Sequence, residues 1–159
     1  MRVYLAQHGL AKEKSEDANR PLSDQGREDV ARVAGFLSLF ERPQPERVIH
    51  SGKLRAEQTA EMFAEGWGNL SVEHGLDLDP NSDPSTWSAH LASMDGDLML
   101  VGHLPHLQRL AGLLLSGDSE RDVVRLRNGG VACLERGESG WSICWQVNPT
   151  LFYGEQSLD

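Results

Sequence analysis

Three short stretches of this 159-residue chain carry side chains able to act on an anion. Gln7-His8-Gly9 ends the apolar run Val3-Tyr4-Leu5-Ala6, and His50-Ser51 ends Arg47-Val48-Ile49, with Arg55 a few residues on. Gly102-His103 ends Leu98-Met99-Leu100-Val101. An imidazole is partly neutral near pH 7 and can serve as nucleophile or donor. A guanidinium offers a planar fork of donors that fits two phosphate oxygens. Brought together, two histidines and one arginine would hold a phosphoryl group and leave one ring nitrogen free to attack it.

The intervening sequence says whether they can meet. Arg2–Ala6 and Arg47–His50 read as short strands, Leu70–His74 as a third, and Asp97–Gly102 as the clearest buried one. Between them lie helical patterns. From Gln25 to Phe40 the apolar positions Val30, Val33, Ala34, Leu37 and Phe40 share a face, and Ser23 is placed to cap. A second helix is expected from Lys53 to about Glu65, with Ser51 as its cap, and a third over Thr86–Met94. A fourth follows Pro105, which a first helical turn tolerates. Residues 75–84, rich in Asp, Pro, Asn and Ser, read as a loop. Val131–Glu135 and Trp141–Val147, joined by Gly137–Gly140, read as a closing hairpin.

Helices alternating with strands imply an α/β fold: three layers, α/β/α, with a mainly parallel sheet and a C-terminal antiparallel hairpin. In such sheets ligands sit beyond the carboxyl ends of the strands. That is where His8, Ser51 and His103 fall. Helix N-termini behind them would add free amides and partial positive charge. The length favours one domain, 1–149, followed by a tail, 150–159, that docks on the body or on a partner.

Charge and composition narrow the function. A net charge of −9 argues against a general nucleic-acid or anionic-membrane binder, yet a few local arginines can still make a positive pocket. No run approaches the roughly 18 apolar residues of a membrane span, and the N-terminus lacks a leader pattern, so the expected compartment is the cytoplasm. Cys133 and Cys144 fit no zinc spacing. They lie equally far from the expected turn and are read as two buried, reduced thiols facing across the hairpin, with a redox pair as the alternative. His50, His74, His90 and His106 read as surface or structural, and the four tryptophans as packing groups.

Four segments also resemble one family. "LAQHG" looks like the Arg-His-Gly signature of the histidine phosphatase superfamily, and "SGKLRAEQTA" is similar to its serine, Arg-Ala and threonine pattern. "LVGHLP" resembles its second histidine segment, and "RPLSDQG" its short bacterial SixA-type phosphohistidine phosphatases. The resemblance implies a phosphoglycerate mutase-like fold and a hydrolase needing neither metal nor cofactor. It implies His8 as a nucleophile that becomes phosphohistidine, Arg55 as the phosphate clamp and His103, when protonated, as a second cation. Gln7, Gly9, Arg20 and Gly102 would line the phosphate, with Glu16 or Asp17 as alternative partners for Arg20. The partner would be a phosphorylated histidine protein or inorganic phosphate. One residue departs from the pattern: Gln7 stands where the family has an arginine. That leaves open a slower enzyme or a phosphate-binding module without turnover, beside a general small phosphomonoester phosphatase. No clear general acid is visible; Asp77 and Asp79 sit in a suitable loop.

Overall fold

Strand β1, Arg2–Gln7, is apolar on both faces, and a computed structural model covering residues 1–154 buries all four of its central residues. Helix α1 spans Asp24–Phe40 and begins at Ser23, whose hydroxyl accepts from the Gly26 amide at 3.0 Å. Next come β2 (Arg47–His50), α2 (Leu54–Gly66), β3 (Ser71–His74), α3 (Pro84–Ser93) and β4 (Leu98–Gly102). Then follow α4 (His106–Ser116) and the hairpin strands β5 (Val131–Gly137) and β6 (Gly140–Val147). A 3-10 turn over Pro149–Phe152 lays Phe152 edge-on against Phe36 of α1.

The sheet runs β3-β2-β4-β1-β5-β6. Strands β3, β2, β4 and β1 are parallel; β5 is antiparallel to β1 and to β6. Side chains alternate between two cores. Tyr4, Ala6, Val48, Met99 and Val101 face α1 and α2, packing on Val33, Leu37, Ala60 and Phe63. Val3, Leu5, Ile49, Leu98 and Leu100 face the other way, onto Trp87, Leu91, Leu107 and Leu110 of α3 and α4. Trp67 and Trp87 belong to these cores, as expected of packing groups.

Register positions the site. Gln7 lies opposite Gly102, and His50 opposite Val101. The carboxyl ends of β1, β4 and β2 are therefore level, so His8, His103 and Ser51 leave one edge of the sheet side by side.

Two expectations are corrected. Cys144 is exposed, and only Cys133 is buried; both are free thiols. The ladder slips between Cys133 and Leu134, which pair with Trp145 and Ile143, so Cys144 is the extra residue of a bulge; its thiol still lies beside that of Cys133, as expected across the hairpin. Ser51 does not cap α2. Lys53 occupies the cap position, without a side-chain bond, and the Ser51 hydroxyl is engaged elsewhere.

Candidate active site

His8 is the first residue past β1. Its amide still bonds the Gly102 carbonyl at 3.1 Å, which ties it to β4. Its Nδ1 lies 2.7 Å from the Gly9 carbonyl. A carbonyl only accepts, so Nδ1 carries the hydrogen and Nε2 holds the lone pair. Arg55 donates to that Nε2 through its Nε at 3.3 Å. The ring centroid of His103 is 4.9 Å from that of His8, with the planes tilted by 55°. Residues far apart in sequence thus share one cleft, as the strand ends foretold.

The cleft is built from three sides. The N-terminal turn of α2 brings Arg55 in, and Thr59 one turn on bolts that helix to the nucleophile loop. Its hydroxyl accepts from the Gly9 amide at 3.0 Å and donates to the Arg55 carbonyl at 2.7 Å. The loop before β5 closes the opposite side: Asn128 Nδ2 donates to the His8 carbonyl at 3.1 Å, and the Gly129 amide bonds the Gln7 and His8 carbonyls. From β2, Ser51 Oγ meets His103 Nε2 at 2.6 Å, both residues buried.

Burial dominates the electrostatics. It pushes His8 down to about 4, with the positive charges of Arg55 and Arg20 adding to the shift and the Gly9 carbonyl opposing it. His103 is pushed down to about 3 by burial first, then by His8, Arg55 and Lys53. Both rings are therefore neutral at pH 7. For His8 that is the attacking form. For His103 burial works against the charged form that the resemblance would use as a second cation, and favours an uncharged hydrogen-bonding ring in the free protein. Arg55 is itself lowered by burial and by Arg20, a sign that the two guanidiniums lie near each other.

The remaining candidates fall as follows. Arg20 adopts a left-handed backbone (φ 48°) and anchors its Nε on the Lys12 carbonyl at 3.1 Å. Among the described residues its side chain forms no ion pair with Glu16 or Asp17, and its charge acts on both His8 and Arg55. Gly9 is buried against α1: an added Cβ would sit 2.8 Å from Val30 Cγ2 and 3.0 Å from the Gly26 carbonyl. Its missing side chain is thus required by helix packing. Gly102 accepts from the His8 amide and has room for a methyl group, 3.5 Å from its nearest neighbours. Gln7 lies at the inner end of an open groove of about 540 Å³, walled by Leu104, Leu126, Arg127 and Asn128. Its Oε1 is buried without a partner. Asp79 pairs with Lys53 at 3.2 Å beside the cleft.

Sequence reasoning missed the duties of Ser51, Thr59 and Asn128. Ser51 and Thr59 stand in the "SGKLRAEQTA" stretch, so their spacing was a usable signal. Asn128, within Arg127-Asn128-Gly129-Gly130, reads only as a turn. Of the remaining histidines, His50 accepts from the Gly52 amide at 3.1 Å and stacks near His74, which is a structural role. His106 is fully buried.

A three-layer α/β/α fold with paired imidazoles and a guanidinium at the carboxyl edge of β1 and β4 defines a class. Residues 3–79 match the model of the histidine phosphatase superfamily, branch 1, and the chain belongs to that superfamily. Within it the chain is similar to the phosphohistidine phosphatase SixA of Escherichia coli K12, at 28% identity over 94% of each chain. An uncharacterised protein of Picosynechococcus is 30% identical over 86% of each. The structure of the protein histidine phosphatase SixA complexed with tungstate superimposes with a TM-score of 0.80. That match has 27% identity and covers 96% of this chain and 100% of the other. The chain is accordingly a phosphatase of SixA-like fold.

Proposed function

We propose that the protein removes phosphate from a phosphohistidine carried by another protein. The observation that carries this reading is the state of His8: neutral, its hydrogen parked on Nδ1, its Nε2 lone pair turned toward Arg55 in an open cleft. Nε2 attacks phosphorus as the bond from phosphorus to the substrate imidazole breaks; that ring, protonated on its other nitrogen, takes the electron pair and leaves as neutral imidazole. Water then attacks the phosphohistidine at residue 8, inorganic phosphate departs, and the ring returns to its starting form. Arg55 turns from Nε2 to the equatorial oxygens as the anion arrives, and Arg20 lends a second charge at the pocket mouth. His103 is offered to the same oxygens, and Gln7, Gly9 and Gly102 are the expected further contacts of the anion. In this reading the cationic stabilisation required by phosphoryl transfer is supplied by arginines.

The leaving group decides between substrates. An imidazole departs more readily than an alkoxide, so a site without a dedicated acid suits a phosphoramidate. Asp79, the carboxylate beside the cleft, forms an exposed ion pair with Lys53. The absence of long insertions leaves the cleft open, as a protein-borne phosphohistidine needs. The tungstate held by the similar SixA structure is a tetrahedral oxyanion of the kind this cleft would take. A cytoplasmic phosphocarrier or phosphotransfer domain is the implied partner. Among the described residues no helix is long and apolar enough to cross a membrane.

The test is phosphate release from a phosphorylated histidine protein. Wild type is expected to release it, His8→Ala to lose at least about a thousandfold in rate, and p-nitrophenyl phosphate to react far more slowly. Equal rates on the two substrates would favour a general phosphomonoesterase; undiminished release by His8→Ala would reject the reading.

A further inference from the structure

Ser51 holds one of the shortest side-chain contacts of the site, 2.6 Å from Oγ to His103 Nε2. Both residues are buried, at 8% and 2% exposure, so no water competes for the bond. Register sets the contact: His50 sits opposite Val101, which places Ser51 level with the end of β4. The hydrogen between the two atoms is either the serine's own or one carried by the ring. With the proton on Nε2, Ser51 accepts and the ring shows a bare Nδ1. With the proton on the hydroxyl, Ser51 donates and Nδ1 carries the hydrogen. Nδ1 has no partner among the described residues and is not among the fully buried unpaired atoms, and the ring lies 4.9 Å from that of His8.

A bound anion distinguishes the two arrangements. A bare Nδ1 turns a lone pair on a phosphoryl oxygen and repels it; a protonated Nδ1 donates to it. Positive charge is already crowded here by Arg55 and Lys53, and the His8 ring lies alongside. The opposing Asp79 is held by Lys53. A neutral donor supplies the hydrogen bond without adding another cation.

We infer that Ser51 is the positioning residue for His103: its hydroxyl donates to Nε2 when a phosphoryl group is bound, so that the uncharged ring presents Nδ1–H to a phosphoryl oxygen. The inference rests on the phosphatase reading above and gives His103 its part in it. Removing one preorganised donor to a developing oxyanion typically costs about 10²–10³-fold in rate, and a misaligned donor loses a share of that.

The proton can be located by ¹⁵N NMR of histidine-labelled wild type saturated with inorganic phosphate near pH 7. A protonated Nδ1 with a bare Nε2 on His103 is expected. A protonated Nε2, alone or together with Nδ1, overturns the inference. Ser51→Ala is expected to lower kcat about 10–100-fold with KM changed less than about threefold, and Ser51→Thr to restore most of it. An alanine variant within about twofold of wild type, or a threonine variant as impaired as alanine, overturns it too. Wild type that binds phosphate with the expected proton arrangement yet turns over no substrate would overturn the phosphatase reading alone; failure to bind phosphate would overturn both.

Discussion

At the scale of single residues, Gln7 is the departure that matters most. An amide there keeps a donor but gives up a charge and a bidentate fork. A hydrogen bond to a charged group is worth roughly 1.5–3 kcal/mol. Gln7→Arg is therefore expected to raise kcat/KM for phosphohistidine release by about 10–100-fold, read from initial rates. No gain would mean that Arg20 or another group already fills that role. The Oε1 of Gln7 is buried without a protein partner. His8 offers a second check. Its ring is held near 4, below the usual 6.5, chiefly by burial. An NMR titration should find His8 still neutral at about pH 5; a midpoint near 6.5 would contradict the packing described.

At the scale of elements, the strands and helices were legible because each repeats a simple period. β2 is found over the expected Arg47–His50, and Ser23 caps α1 as expected. The level ends of β1, β2 and β4 followed from fold class alone, which is why His8, Arg55 and His103 could be grouped in advance. Bonds made by single polar atoms across elements were not legible. Ser51 has the right type and place to cap α2, and only the register of β2 on β4 shows that it reaches His103 instead. Thr59 and Asn128 act through backbone groups of the His8 loop, which no side-chain pattern announces. The bulge that exposes Cys144 is one residue of slip inside an otherwise regular hairpin. Two substitutions test the element contacts. Thr59→Val leaves the buried Gly9 amide without an acceptor and should cost about 1–3 kcal/mol of stability in urea unfolding. Gly26→Ala would place a Cβ 2.1 Å from the Leu10 carbonyl, and backbone cannot yield as a side chain does. A loss of about 1–3 kcal/mol or more is expected by the same measurement. Wild-type stability in either variant would contradict the packing it probes.

At the scale of the whole molecule, the cleft is maintained at a cost that pH exposes. His8 and His103 sit near 4 and 3 in the folded protein, against about 6.5 in an unfolded chain. Between these values the unfolded chain binds more protons, so stability rises with pH up to about 6.5 and is lost as pH falls below it. Lowering the pH from about 7 to about 5 should remove a few kcal/mol from the two rings together. The loss is read as a falling Tm, and it should shrink in His8→Phe. A Tm flat across that range would show that the rings are not held neutral. The acidic surface, net −9, contributes no attraction for phosphate at long range, so specificity must come from the cleft and from the surface of the partner.

The central claim is that His8 Nε2 becomes covalently phosphorylated. Mixing the protein with a ³²P-labelled phosphohistidine protein and quenching within milliseconds tests it directly. Label is expected on the peptide containing His8, stable to alkali and lost in acid, and none in His8→Asn. Release of phosphate with no such intermediate at any time, or label on another residue, would contradict it.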